Sequence, residues 1–276
     1  MEPVIHVGPP RGARARTADV VVASETEASA LRRRIADAPL AASVLVGLLR
    51  ATENLPIPDA LFAESLAYAT LQSGPEYQRW LAANRAAAPA RPTDAGPAVV
   101  MVRERKALSI ELNRASTRNA INVELRDALV EAFQLVIADR SIRAVTLSGR
   151  GKCFSTGGDL TEFGSVADPA SGHAIRMQAL PARFLARCAS RVEARVHSAC
   201  IGAGIELPAF ARRVVAAPNA FFQLPELEFG LIPGAGGTVS IPRRIGRQRA
   251  AWLMLSGERI GAKQALAWGL VDAIRG

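Results

Sequence analysis

Aromatic side chains make up only 5% of this 276-residue chain, and it contains three cysteines and three histidines. So few stacking platforms, with no nucleic-acid-binding pattern anywhere, argue against a nucleic-acid partner despite the basic balance of the chain. Cys153, Cys188 and Cys200 have neither metal-ligand spacing nor an even count. They are expected as buried thiols in a reducing compartment, with no metal site. Long apolar runs are missing as well. The longest, from Leu40 to Leu49, is about half of what a membrane span needs, so no membrane partner is expected. Acids are outnumbered, 25 against 34 Lys plus Arg, for a formal net charge of +9. That surplus favours an acidic partner, and a small ligand carrying phosphates fits it. Arg11, Arg14 and Arg16 do not precede the apolar core of a secretory signal. Glu2, Asp19 and Glu25 weaken an organelle presequence, which leaves the cytoplasm as the expected compartment.

What is present is enough hydrophobic residue, 49%, to bury a full core. Residues 1–24 contain Gly8-Pro9-Pro10-Arg11-Gly12 and little periodicity beyond Val20-Val21-Val22, which predicts a loose arm ending in a short extended piece. Residues 25–85 read as helices. Leu31 and Ile35 mark one stripe, and Pro39 starts a second helix with Val44, Leu45, Leu48 and Leu49 inside. Leu61, Phe62, Leu66, Ala69 and Leu71 are the apolar positions of a third, and Tyr77, Trp80 and Leu81 pack a fourth inward as core. Arg32-Arg33-Arg34 reads as a solvated face rather than a phosphate patch. Residues 86–98, rich in Ala, Pro and Gly, form the expected linker, and 99–276 the main unit. There, strand patterns at Val99–Val102, Leu108–Leu112 and Ile142–Ser148 alternate with a helical spacing over Val123–Asp139, as in a wound α/β core. Residues 164–176 read as mobile, with a helix expected over Met177–Ser190.

Three short stretches carry the chemistry. Gly149 to Leu160, GRGKCFSTGGDL, sets Gly157-Gly158 where backbone can approach a ligand and present N–H groups. Asp159 there also suits a helix N-cap. Cys200 to Leu207, CIGAGIEL, opens an apolar segment with one acid, Glu206, and Leu224-Pro225-Glu226 supplies a second twenty residues later. Two carboxylates amid apolar residues, beside glycine-thinned backbone, are what proton transfer next to a polarised carbonyl requires. Taken singly, Glu206 is a first-turn glutamate at a helix N-terminus and Glu226 a Pro-Glu turn residue, with Glu228 close by. His173 and His197 are expected to be structural.

GKCFSTGGDL, GAGIEL, LPE and GLIPGAGGT, in this order from about Val99 onward, resemble the crotonase superfamily, the enoyl-CoA hydratase/isomerase proteins. The resemblance implies an α/β fold, a right-handed spiral of ββα units, here preceded by the small helical region. It also implies a longer helical tail than the residues following Gly269-Leu270-Val271-Asp272. The expectation is that the N-terminal helices take over the covering role of that tail. The implied substrate is an acyl-CoA thioester, with no cofactor beyond the coenzyme A the substrate carries. The backbone N–H groups of Gly158 and Ala203 would form the oxyanion hole, each such donor being worth about 3–4 kcal/mol. Glu226 would protonate Cα and Glu206 hold water, while Arg114, Lys152, Thr156, Gly157 and Asp159 would contact substrate. Arg212 and Leu224 depart from the family pattern and leave the substrate preference open. The implied reaction is hydration of a 2-enoyl-CoA to a 3-hydroxyacyl-CoA by a homo-oligomer, trimer or hexamer. Double-bond isomerisation, C–C cleavage, cofactor-free oxygenation and a non-catalytic acyl-CoA-binding subunit stay open beside it.

Overall fold

The computed structural model describes residues 2–84 and 94–276. The first 24 residues are not the loose arm that composition predicts. β1 (Ile5–Val7) pairs in parallel with β2 (Val20–Val22), and α1 (Ala13–Thr17) crosses between them. The physical reason is a run of small buried contacts, Ala15, Ala18, Val20 and Val22, together with one buried acid. Asp19 is 1% exposed; it accepts from Val4 N (2.8 Å), pairs with Arg50, and meets Arg247 Nη1 at 3.1 Å.

The helical region follows as α2 (Glu25–Asp37), α3 (Pro39–Thr52), α4 (Ile57–Gln72) and α5 (Pro75–Asn84). Ser24 Oγ caps α2 by accepting from Glu27 N, while Glu27 accepts from Ala23 N. Pro39 opens α3, where a missing N–H costs nothing. α4 corrects the sequence reading: Phe62 and Leu66 are 49% and 45% exposed, and the inner face carries Leu61, Glu64, Ser65 and Ala69. The expected linker at 86–98 falls largely outside the described residues. Its last residues are held rather than free, since the carbonyls of Ala95, Pro97 and Ala98 accept from Asn113.

The rest of the chain gives β3 (Val99–Glu104), β4 (Ala107–Leu112), α6 (Val123–Ala138) and β5 (Ala144–Gly149). Next come α7 (Pro169–Ala179), α8 (Pro181–Cys188), β6 (Val192–Val196), β7 (Ala199–Ile201) and α9 (Ala203–Glu206). The chain ends with β8 (Arg213–Ala216), β9 (Phe221–Gln223), α10 (Gly237–Ile245), α11 (Arg247–Ser256), β10 (Ile260–Gly261), α12 (Ala262–Trp268) and β11 (Ala273–Ile274). Residues 164–176, read from sequence as mobile, contain most of α7, whose N-cap Asp168 accepts from Ser171 N. Pro181 divides the helix expected over 177–190, and Gly246, at φ +81°, separates α10 from α11.

Strands run in the order β11-β8-β6-β5-β4-β3 in one sheet, parallel except for the β3–β4 hairpin, and β10-β9-β7 in a second. The parallel strands are joined by helical crossovers, giving a mixed α/β fold. Buried apolar residues form one continuous cluster, from Val20, Leu45 and Leu61 through Leu253 and Phe222 to Ile110 and Phe133. The N-terminal helices therefore share the core rather than building their own. Burial at about 1.5–3 kcal/mol per large side chain outweighs the exposed Arg34–Glu228 pair, an interaction of about 0–1 kcal/mol. Apolar docking, not that pair, holds the helices down.

Asp19 links β2 to both α3 and α11, and replacing it takes the buried carboxylate from Arg50 and leaves Arg247 only its pair with Glu53. Asp19→Ala is expected to lower unfolding stability by about 3–5 kcal/mol, read as a shift of the urea midpoint; an unchanged midpoint would remove Asp19 from this role.

Candidate active site

Two loops meet at the ends of β5 and β7. The first, residues 155–158, is pinned from behind by Asn119, a fully buried residue whose Nδ2 donates to the carbonyls of Arg150, Cys153 and Phe154. Ser155 Oγ donates to Asn119 O (2.8 Å) and accepts from Gly157 N (3.1 Å). The second loop, 201–204, lies directly on it: Ile201 N donates to Ser155 O, and a Cβ on Gly204 would come within 2.5 Å of that same oxygen. Gly157, at φ +84°, would bring a Cβ to 2.5 Å from Ile201 O. Only glycine allows this approach. It sets the N–H groups of Gly158 and Ala203 on the wall of one cavity, and neither has a backbone acceptor among the described residues. Asn119 and Ser155 position this pair without touching the cavity. Neither is legible in the sequence, because an isolated Asn or Ser gives no pattern.

That cavity, about 310 Å³, contains both glutamates named from sequence. Glu206 ends the short helix α9 and is 2% exposed; its Oε2 accepts from Ala235 N and Gly237 N, each at 2.8 Å. Glu226 lies across Gly202, where an added Cβ would meet Glu226 Oε1 at 2.7 Å and Glu206 Oε1 at 3.9 Å. Glu226 Oε2 is buried with no hydrogen-bond partner among the described residues. The two acids thus differ in kind: Glu206 is oriented by two donors from residues 235–237, whereas one oxygen of Glu226 is buried without a donor among the described residues.

A third acid, absent from the sequence reading, belongs to the same cluster. Glu64 on α4 is 1% exposed and accepts from Gly236 N (2.8 Å), Thr238 N (2.9 Å) and Thr238 Oγ1 (2.6 Å). Glu206 and Glu64 therefore take alternate N–H groups, 235, 236, 237 and 238, at the start of α10. This is the favourable end of a helix for negative charge. Burial still dominates. It lifts Glu206 to about 7, opposed by those two N–H groups. It lifts Glu64 to about 8, aided by repulsion from Glu206 and opposed by Thr238 and Gly236. Glu226 is raised well above the usual carboxyl range by burial first and by Glu206 second. Three carboxylates this close do not all ionise at neutral pH. α4 also supplies Tyr68, which lines the cavity with its ring against Gly234, under the guanidinium of Arg176 at 4.7 Å. Burial pushes the Tyr68 phenol above its ordinary range.

The other residues named from sequence divide. Thr156 and Gly157 line the cavity. Asp159 does not; its carboxylate accepts from Thr161 N and Thr161 Oγ1, the capping alternative. Arg114 lies elsewhere too. Its guanidinium is held by Glu124 and by the carbonyls of Asn113 and Gly96, and it is not part of the cavity wall. Lys152 is exposed and away from that wall, and Arg150 pairs with Glu111. Glu228 meets Arg34 on the surface, and His197 and His173 bond Gly151 O and Ser65 Oγ. Trp80 packs behind Phe163 and Phe229, aromatic residues of the cavity wall. A larger cleft of about 770 Å³ lies between β2, α11 and α12, but its acids Glu27 and Glu53 are engaged by Trp252 and Arg247.

A family model described as enoyl-CoA hydratase/isomerase matches residues 103–275. The chain is 37% identical over 176 residues to a 2,3-dehydroadipyl-CoA hydratase of Escherichia coli, covering 64% of this chain and 68% of that protein. It is 32% identical over 183 residues to the mitochondrial Delta(3,5)-Delta(2,4)-dienoyl-CoA isomerase of Mus musculus, covering 62% and 56%. A crystal structure of an enoyl-CoA hydratase from Thermoplasma volcanium superposes with a TM-score of 0.60 at 33% identity, over 65% of this chain and 72% of that one. The chain thus spans about half to two thirds of the length of these curated relatives. The family match begins after α4, so Glu64 and Tyr68 come from outside it.

The raised carboxyls fix the sign of a pH dependence. Each binds its proton more tightly folded than unfolded, so its contribution is full below the unfolded value near 4.5 and is lost as pH rises through about 7–8. Unfolding stability is expected to fall between pH 5 and 8. Glu64→Gln should flatten that slope while losing stability at pH 5, because its amide meets an N–H. Urea titrations at several pH values read both, and an unchanged slope in the variant would remove Glu64 from the coupled cluster.

Proposed function

The chain belongs to the enoyl-CoA hydratase/isomerase family, and from that premise we propose that it hydrates a 2-enoyl-CoA to the 3-hydroxyacyl-CoA. The observation that carries this reading is the unequal pair of buried carboxylates flanking Gly202, in one cavity with the Gly158 and Ala203 N–H groups. The thioester oxygen accepts from those two N–H groups, which polarise the conjugated double bond and hold the enolate that forms. Glu206, oriented by Ala235 and Gly237, positions a water and in its carboxylate form takes that water's proton as the oxygen adds to Cβ. Glu226, kept protonated by burial, delivers a proton to Cα. Oxyanion donors supply the electrostatics, and the apolar wall excludes bulk water. Coenzyme A enters as part of the substrate, and no resident cofactor takes part.

Double-bond isomerisation is the second reading, supported by the resemblance to the mouse dienoyl-CoA isomerase. It needs the same oxyanion donors and moves a proton between carbons without water adding. We extend the proposal to a homo-oligomer, trimer or hexamer, which the exposed Phe62 and Leu66 on α4 and Ile175 on α7 support. Sedimentation as a monomer at micromolar concentration would remove that part.

Loss of conjugated-thioester absorbance with crotonyl-CoA and longer 2-enoyl-CoAs tests the reaction. Glu226→Gln is expected to cut kcat by about 10²–10⁴-fold while thioester binding stays within a few-fold. An unchanged kcat would sink the role given to Glu226, and a shifted double bond without gain of water would select the isomerase.

A further inference from the structure

The acid cluster faces a guanidinium that the hydration chemistry does not use. Arg176, on α7, lines the same cavity as Glu206 and Glu226. Its Nε donates to Ser65 Oγ (3.0 Å), one Nη2 N–H to Ser65 O (3.2 Å) and one Nη1 N–H to Gln72 Oε1 (3.3 Å). All three acceptors are neutral. A guanidinium has five N–H donors, so one on each terminal nitrogen has no acceptor among the described residues. Arg176 makes no ion pair among those residues, whereas Arg126, the other arginine of this wall, is paired with Asp127.

This arrangement is costly without a partner. Leu160, Leu180, Leu207, Phe163 and Phe229 make much of the wall apolar, and the acids of the cavity, Glu206 and Glu226, make no ion pair with Arg176 among the described residues. The Tyr68 face recovers only part of what desolvating a cation takes away. Glu64 acts on it only at longer range, its own oxygens being occupied by Gly236 and Thr238. An arginine needed solely to tie α7 to α4 could have used an acid at the position of Ser65 or Gln72. Neutral acceptors instead fix the plane of the guanidinium and leave its two-pronged end and its charge unspent. A carboxylate fills such a fork with two parallel hydrogen bonds.

Resting on the acyl-CoA reading, we infer that Arg176 is a specificity residue that binds a carboxylate at the end of the acyl chain remote from the thioester. The substrate class is then an ω-carboxylated 2-enoyl-CoA, with the thioester oxygen at Gly158 and Ala203 and the distal carboxylate on the terminal nitrogens of Arg176. Ser65, itself bonded to His173, and Gln72 hold the guanidinium in place. The specificity element is thus assembled by α4 and α7 together.

The test compares a six-carbon 2-enoyl-CoA with its ω-carboxylated counterpart, using the full-length protein, Arg176→Gln and Arg176→Lys. Wild type is expected to favour the carboxylated thioester by about ten- to hundredfold in kcat/KM. Arg176→Gln should erase that preference while holding the neutral substrate within about threefold, and Arg176→Lys should restore part of it. Equal loss on both substrates would reduce Arg176 to a tie between helices, and a wild-type preference for the neutral chain would overturn the inference. If neither is turned over, calorimetry with the saturated pair, hexanoyl-CoA and its ω-carboxylated form, decides separately. Tighter binding of the carboxylated form that Arg176→Gln abolishes upholds the inference while the hydration reading falls; equal binding of the two overturns it.

Discussion

Four consecutive backbone N–H groups, those of Ala235, Gly236, Gly237 and Thr238, govern the site. They run from the loop before α10 into its first turn, and they are divided between Glu206 of the family-matched segment and Glu64 of α4. A helix N-terminus is one of few places in an apolar interior where carboxylates can be held without cationic partners. Here two are held at the same terminus, one from each side. The consequence is mechanical as well as electrostatic. The 233–237 loop is fixed against α4, α4 brings Tyr68 over Gly234, and the cavity is closed from that side by a helix outside the matched family segment.

Crowding acids together has a cost that the site turns to use. Glu206 keeps two good donors and so remains the better carboxylate, whereas Glu226 has a buried oxygen with no donor and feels the charge of Glu206 besides. In the proposed hydration, acid and base would be told apart by burial and hydrogen bonding rather than by residue type. Glu64 presses the same way, since its charge also raises Glu226. A surface ion pair such as Arg34–Glu228, mostly hydrated, has no comparable leverage on the chemistry.

What sequence could tell follows from how local each signal is. The Gly158 and Ala203 donors and the Glu206–Glu226 pair were legible because the glycines that permit the two loops to touch sit next to the groups they position. Arg114, Lys152 and Asp159, which lie off the cavity wall, show the opposite case. A charged residue near a motif carries no information about its partner, and Glu124 and Thr161 claim two of these three. Glu64 was hidden by phase. Phe62 and Leu66, four apart and apolar, pull the apparent inner face of α4 away from Glu64, Ser65 and Tyr68, yet they are the exposed ones. The arm was misjudged because burial of Asp19 by Arg50 and Arg247, which are 31 and 228 residues distant, leaves no trace in local composition.

A polar inner face is a poor way to dock a helix. Glu64, Ser65 and Tyr68 could have been apolar, and α4 would bury more area at less desolvation cost. Their hydrogen bonds and cavity contacts on that face make α4 part of the site, with Leu45, Leu49 and Leu61 providing the docking energy nearby. The same division explains why Arg176 sits where α4 and α7 meet. The apolar residues attach the N-terminal helices to the fold, and the polar ones shape what the cavity accepts.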